Sequence, residues 1–153
     1  MSLLDSSRGY ITCERGCAHW GPHGAAGLLL RHDGRYLLQQ RAPWVDHGRT
    51  WSIPGGALRR GEHPRRAARR EAREELGHLP PYQHHTIHRD DHGGWTYHTV
   101  VVDTLQPYTP GNGDGEGTRC DWFTPEQIGT LRLHPGFADT WPRILHKLTE
   151  QPA

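Results

Sequence analysis

"GGALRRGEHPRRAARREAREELGH", residues 55–78, reads as a glycine-led loop followed by one short helix whose charges run against its dipole. A helix N-terminus carries positive character and favours acids, while the C-terminus favours bases. Here Arg65, Arg66 and Arg69 come first, and Glu71, Glu74 and Glu75 come last. Pro64 suits a first helical turn and Gly77 a C-terminal cap, which predicts a helix over residues 63–76. The glutamates are spaced i, i+3 and i+4, so their carboxylates share one face, where like charges repel. Two readings explain the order. In one, a hard cation sits among the acids, because clustered oxygen ligands without Cys or His at helical spacing select Mg²⁺ or Mn²⁺ over zinc. In the other, the face is a solvated Arg/Glu surface with i,i+4 pairing, such as Arg70 with Glu74.

Working outward from this stretch, "GAAGLLLRHDGRYLLQQR" places the turn signal Asp33-Gly34 between two apolar runs and predicts a hairpin of residues 24–31 and 36–41. The loop "APWVDHGRT" and the short stretch "WSIPGG" lead into the helix. Beyond it, "HHTIHRD" and "WTYHTVVVDTL" read as strands around the turn Asp91-His92-Gly93-Gly94, and "RCDWF" as a last short strand. Thr124 followed by Pro125 starts a short helix, and residues 136–149 make a closing one. Residues 1–23 read as an N-terminal arm or an irregular first strand, and 24–153 as one domain.

A chain of 153 residues is long enough to bury a core without staples. Its net charge of +1 predicts no stable nucleic-acid complex, and no apolar run approaches membrane-spanning length. Three cysteines make no disulfide framework and the first residues carry no leader pattern, so a cytoplasmic setting is expected. Cys13, Cys17 and His19, with His23 nearby, are an incomplete zinc-ligand set. The Gly-rich "GNGDGEG" lacks the Lys-Ser/Thr of a P-loop. His134 in "LHPGF" reads as a turn residue.

The full spacing is more specific than the charge pattern. Gly56, five residues, Glu62, seven residues, then Arg70-Glu71-Ala72-Arg73-Glu74-Glu75-Leu76-Gly77 resembles the box of the Nudix hydrolase family (MutT type), G-x5-E-x7-R-E-U-x-E-E-x-G-U, with U a bulky apolar residue. Every charged and glycine position is filled; Ala72 and His78 depart from the pattern at U positions. The resemblance implies an α/β (α+β) fold, an α/β/α sandwich with a mixed central sheet. It implies divalent-metal ligands at Glu71, Glu74 and Glu75 and at the Gly55 carbonyl, with Glu62 and Arg70 paired behind them and Gly56 turning the loop. Glu74 or Glu116 is then expected as general base, with Asp114 as an alternative to Glu116.

By the same resemblance the reaction is Mg²⁺-dependent hydrolysis of the diphosphate in a nucleoside diphosphate-X substrate, by water attack at phosphorus, with Mn²⁺ able to substitute. The expected substrate is a nucleoside di- or triphosphate or a close derivative; ADP-ribose, a nucleotide sugar or a dinucleoside polyphosphate is the alternative. A catalytically silent nucleotide sensor is a third reading, against which the intact box argues. Arg41, Trp51 and Tyr97 are candidate substrate contacts, with Trp44 and Trp95 further aromatics for a base or for the core. The partners expected are a small-molecule nucleotide and a second copy of the chain in a homodimer.

Overall fold

The structure, a computed structural model, describes residues 9–111 and 119–150. Asp114, Glu116 and the rest of the "GNGDGEG" loop after Gly111 lie outside them. Among the described residues nine strands and three helices follow one another: β1 (Tyr10–Thr12), β2 (Ala18–Trp20), β3 (Ala25–His32), β4 (Arg35–Gln40), β5 (Trp51–Ser52), β6 (Gly55–Ala57), α1 (Pro64–Leu76), β7 (Tyr82–Asp91), β8 (Thr96–Thr104), β9 (Cys120–Phe123), α2 (Pro125–Ile128) and α3 (Pro135–Glu150).

The expected hairpin is β3–β4. Asp33 and Gly34 both have positive φ, 51° and 75°, as a two-residue type I′ loop requires, and His32 pairs with Arg35. Past that turn the two strands separate. The first half of β3 pairs with β6, while β4 pairs with β5 and β9. On its other edge β3 runs parallel to β8, which pairs antiparallel with β7, giving a seven-stranded mixed sheet. The split between β3 and β4 is what admits the Gly55-Gly56-Ala57 strand beside the central strand, directly ahead of α1.

Alternation along the central strands sorts side chains to the two faces of the sheet. Leu28 and Leu30 of β3 and Val100 and Val102 of β8 pack beneath α1, with Ala67, Ala68, Ala72 and Leu76. Leu29 and Val101 point the other way, onto Phe137, Trp141, Ile144 and Leu148 of α3. The molecule is thus the expected α/β/α sandwich. Each of these fully buried aliphatic side chains contributes about 1.5–3 kcal/mol, so the sheet and its two helices carry most of the stability. Ala72, small where the box expects bulk, has no exposed surface and lets α1 lie close to the sheet. His78 is exposed, and Leu79 packs against the core in its place.

Residues 10–20, within the expected arm, form a hairpin of their own, β1 with β2, which joins no strand of the main sheet. Among the described residues no helix is long and apolar enough to cross a membrane.

Candidate active site

Helix α1 begins one residue later than expected. His63 caps it, its Nδ1 accepting the Arg65 N–H at 3.1 Å, and no acid occupies the first turn. The alanine face fixes the helix against the sheet, and this sets where its glutamates fall. Glu75 accepts the Gly55 N–H on Oε2 at 2.8 Å and the Gln39 amide on Oε1 at 3.2 Å, so it bridges β6 and β4. Glu71 lies against Gly56, where an added Cβ would stand 2.5 Å from the Glu71 carboxyl carbon. A side chain at position 56 would displace the Glu71 carboxylate from its place. Glu74, on the same face, is exposed.

Arg70 organises the base of this cluster. Its Nε and Nη2 reach both oxygens of Glu62 at 3.0 and 2.8 Å, Nη2 also donates to the Ala57 carbonyl at 3.1 Å, and Nη1 donates to Glu71 at 2.8 Å. Arg70 thus ties the loop strand to the helix, and the Glu62–Arg70 pairing expected from the box is present. The hydrogen bonds from Arg70 hold the Glu62 carboxyl below its usual range and raise the guanidinium in turn. Arg70 with Glu74, the pair that the solvated-face reading invoked, is a loose contact of 3.9 Å. Burial pushes the Glu71 carboxyl up, against the Arg70 hydrogen bond and with the help of Glu74. Burial and Glu75 also raise the Cys120 thiol, to about 11, which makes it a poor nucleophile at neutral pH.

Beside the glutamates a cavity of about 380 Å³ opens between the sheet and the start of α3. Gly55 and Gly56 belong to its wall, so cavity and glutamate cluster share the two-glycine strand. Arg41, Ser52, Trp95 and Tyr97 line it, with His134, Phe137, Asp139 and Thr140 from the chain around the start of α3. Two of the three expected substrate contacts therefore lie here. Trp51 does not: it is buried in the core, edge-on to Phe123 at 5.0 Å, because its strand is held by β4 on one side and by Leu133 on the other. Trp44 is 75% exposed. His134 makes the expected turn, accepting the Gly136 N–H at 3.0 Å, and faces the cavity as well.

Tyr97 has a second part in the site. Its hydroxyl fills the space next to Gly27 and Gly55, where a Cβ on either glycine would collide with it. The α3 residues had no spacing signal in the sequence; only the packing of that helix over the sheet edge brings them to the cavity.

Residues 21–144 match the model of the NUDIX domain. The chain is 38% identical over 151 residues to the "Putative 8-oxo-dGTP diphosphatase 3" of Mycobacterium tuberculosis, covering 89% of this chain and 68% of that protein. It is 27% identical over 114 residues to the CTP pyrophosphohydrolase of Escherichia coli, covering 74% and 70%. Among solved structures, the Nudix hydrolase RenU of M. smegmatis superposes with a TM-score of 0.81 at 38% identity, covering 95% of this chain and 97% of that one. With the box, the sandwich and the glycine-walled cavity in one place, the chain belongs to the Nudix hydrolases, enzymes that act on phosphorus-containing anhydrides.

Proposed function

We propose that the chain hydrolyses a nucleoside triphosphate at a diphosphate linkage, with Mg²⁺ held by Glu71, Glu74, Glu75 and the Gly55 carbonyl. The observation that carries this reading is the shared Gly55-Gly56 strand: one side meets the glutamates and the other walls the cavity. The donor set is all oxygen and suits a hard cation, and the space a Cβ at Gly56 would take is filled by the Glu71 carboxyl. When bound, Mg²⁺ supplies neutralisation of the diphosphate and a more acidic water.

The chain's own groups do the rest. Arg70 and Glu62 hold the loop strand and the helix in register, so that Glu71 and Glu75 keep their places against Gly56 and Gly55. Glu74, exposed and unburdened by a short ion pair, is well suited to accept the proton of the attacking water. Glu116 is the other candidate for that role. Trp95 offers an aromatic surface to a base, and Arg41 and Asp139 offer polar groups to its edges or to the phosphates. The 38% identity to the Mycobacterium tuberculosis relative favours a purine triphosphate, oxidised guanine included, over ADP-ribose or a dinucleoside polyphosphate.

A panel of nucleotides with Mg²⁺, reading released pyrophosphate and phosphate, tests this. The expected result is highest kcat/KM on a guanine triphosphate. ADP-ribose or a dinucleoside polyphosphate turned over tenfold better would overturn the substrate and leave the reaction class standing; no turnover of any of them would favour the silent nucleotide-binding reading.

A further inference from the structure

The β1–β2 hairpin keeps its two large aromatic side chains largely outside the body of the molecule. Its Tyr10 and Trp20 are 74% and 49% exposed and pack mainly on each other, edge to face at 5.0 Å. Polar contacts join it to the β7–β8 turn: Glu14 N–H donates to the Gly93 carbonyl at 2.8 Å, and Arg15 to the Asp91 carbonyl at 3.1 Å. At this junction stand Cys13 and His19 from the hairpin and His92 from the turn, and one ligand atom of each lies within 4.8 Å of the others.

More than proximity marks the group. Cys13 is 4% exposed. His92 Nε2 lies 2.9 Å from Asp90 Oδ2, and Asp90 is itself buried and faced by Arg143 at 3.3 Å. With the carboxylate accepting a hydrogen bond from Nε2–H, the neutral ring keeps its lone pair on Nδ1. That Nδ1 is buried and has no hydrogen-bond partner, and the same is true of His19 Nε2. The His19 ring is fixed by stacking on Trp95 at 3.9 Å and 6°. Buried polar atoms without partners are uncommon in a folded protein, and each needs a cause. Other buried histidine nitrogens lack partners too, at His84 and His88, but among the described residues only here do two of them stand beside a buried thiol with one ring backed by a carboxylate, the arrangement of protein metal ligands.

We infer that Cys13 Sγ, His19 Nε2 and His92 Nδ1 form a site for a borderline divalent cation of the zinc type, separate from the glutamate cluster. One sulfur and two nitrogens favour zinc over magnesium, whose ligands are oxygens. Zinc-bound S and N atoms at tetrahedral angles lie about 3.3–3.6 Å apart, so the group closes on an ion by small rotamer adjustments. Three protein ligands leave one position for water. Cys17 and His23, the other candidates by sequence, are not in the group; Cys17 is exposed. The ion joins segments about 80 residues apart in the chain, where a clip restrains a long loop. It pins the hairpin to the turn, and through His19, Asp90 and His92 it stiffens one wall of the substrate cavity.

The test is cobalt and zinc titration of the whole chain, stripped with chelator and kept reduced with a phosphine. Wild type is expected to take up one Co²⁺ with a thiolate-to-cobalt charge-transfer band, displaced by one equivalent of Zn²⁺ and untouched by millimolar Mg²⁺. His92→Ala is expected to weaken that binding at least about 100-fold, and Asp90→Asn, which removes the carboxylate behind the ring, about 10–100-fold. The Glu71→Gln/Glu75→Gln chain is expected to keep the band in full, which separates this site from the proposed magnesium site. Zn²⁺ is also expected to raise the melting temperature of wild type and not of His92→Ala. Cys13 is in the core and Cys13→Ser risks the fold, so His92→Ala decides. Absence of a thiolate band in wild type, or its full retention in His92→Ala, would overturn the inference.

Discussion

The two groups of ligand-type side chains in this molecule are built in opposite ways. Glu71, Glu74 and Glu75 stand on one helix whose alanine face is buried in the core, so their placement is as stable as the sandwich itself. Cys13, His19 and His92 meet only where a small hairpin docks on a turn, and that junction holds two buried nitrogens with no partner. The first group has much like charge, offset by Arg70 and by packing and, under the proposed function, by a cation. The second has too few hydrogen bonds. A ligand set on a packed helix is therefore expected to survive the loss of its ion, whereas one spanning a weak interface loses its organisation with it.

The largest effect expected on the helix side is kinetic. Glu74→Gln keeps shape and removes one charge, so the fold should persist while kcat falls at least about 100-fold, the equivalent of losing about 3 kcal/mol of transition-state stabilisation. KM should move much less. A near-normal rate in this variant would remove Glu74 from the site.

Next in size is Arg70→Ala, which leaves Glu62 (8% exposed at its side chain) without its bidentate partner and uncouples the loop strand from the helix. Breaking a buried pair costs about 3–5 kcal/mol; the partial exposure of Arg70 reduces this to about 2–3, a drop of roughly 5–10 °C in melting temperature for a chain of this size. Thermal unfolding measures it. An unchanged midpoint would mean that the pairing does not matter to the fold.

A smaller shift tests whether a cation relieves the glutamates. At about ten times its Kd, Mg²⁺ should stabilise wild type by about 1.4 kcal/mol, roughly 3–6 °C, relative to EDTA. Glu71→Gln/Glu75→Gln should show no such shift and should be at least as stable as metal-free wild type, because like-charge repulsion and an adverse dipole contact are gone. A solvated Arg/Glu surface gives the reverse: no response to metal, and a small loss in the double variant.

The smallest effect comes from the histidines. Burial is the leading reason that His84, His88, His98 and His134 are all held below 6.5, the ordinary value, so they are neutral in the fold and charge more readily when unfolded. The unfolded state then binds more protons, and the stability present above pH 6.5 is lost as pH falls below it. The midpoint should decline between pH 7 and pH 5, ahead of the acid transition of the carboxylates. A flat profile over that range would show that these rings are solvated.

The part of this architecture that could be read from the chain is the part whose causes are local. The i, i+3, i+4 glutamates, Pro64 and Gly77 define α1 to within a residue, and Asp33-Gly34 defines the β3–β4 turn. Strand order depends on pairing between distant segments and left no such trace: nothing in "HTVVVD" says that β8 runs parallel to β3. Trp51 was expected at a base and belongs to the core, because aromatic content does not reveal which face of a two-residue strand is covered. Phe137, Asp139 and Thr140 reach the cavity through the docking of α3, a tertiary event. His92 was legible only as a turn residue, and its neighbourhood to Cys13 and His19 exists only once the hairpin has docked.

The interlock of Gly27, Gly55 and Tyr97 limits how this site can change over evolutionary time. Gly55 is confined on two sides, since an added Cβ would also stand 2.6 Å from the Ala26 carbonyl, which no change at position 97 can relieve. At Gly27 the nearest obstacles are two side chains, the Tyr97 hydroxyl and the end of Ile53. Substitutions there are consequently ordered in history: Gly27→Ala needs both Tyr97→Phe and a smaller or shifted side chain at Ile53 before it fits without strain. Relatives should therefore show position 27 covarying with 53 and 97 together and invariance at 55, a coupling that no comparison restricted to the box would detect.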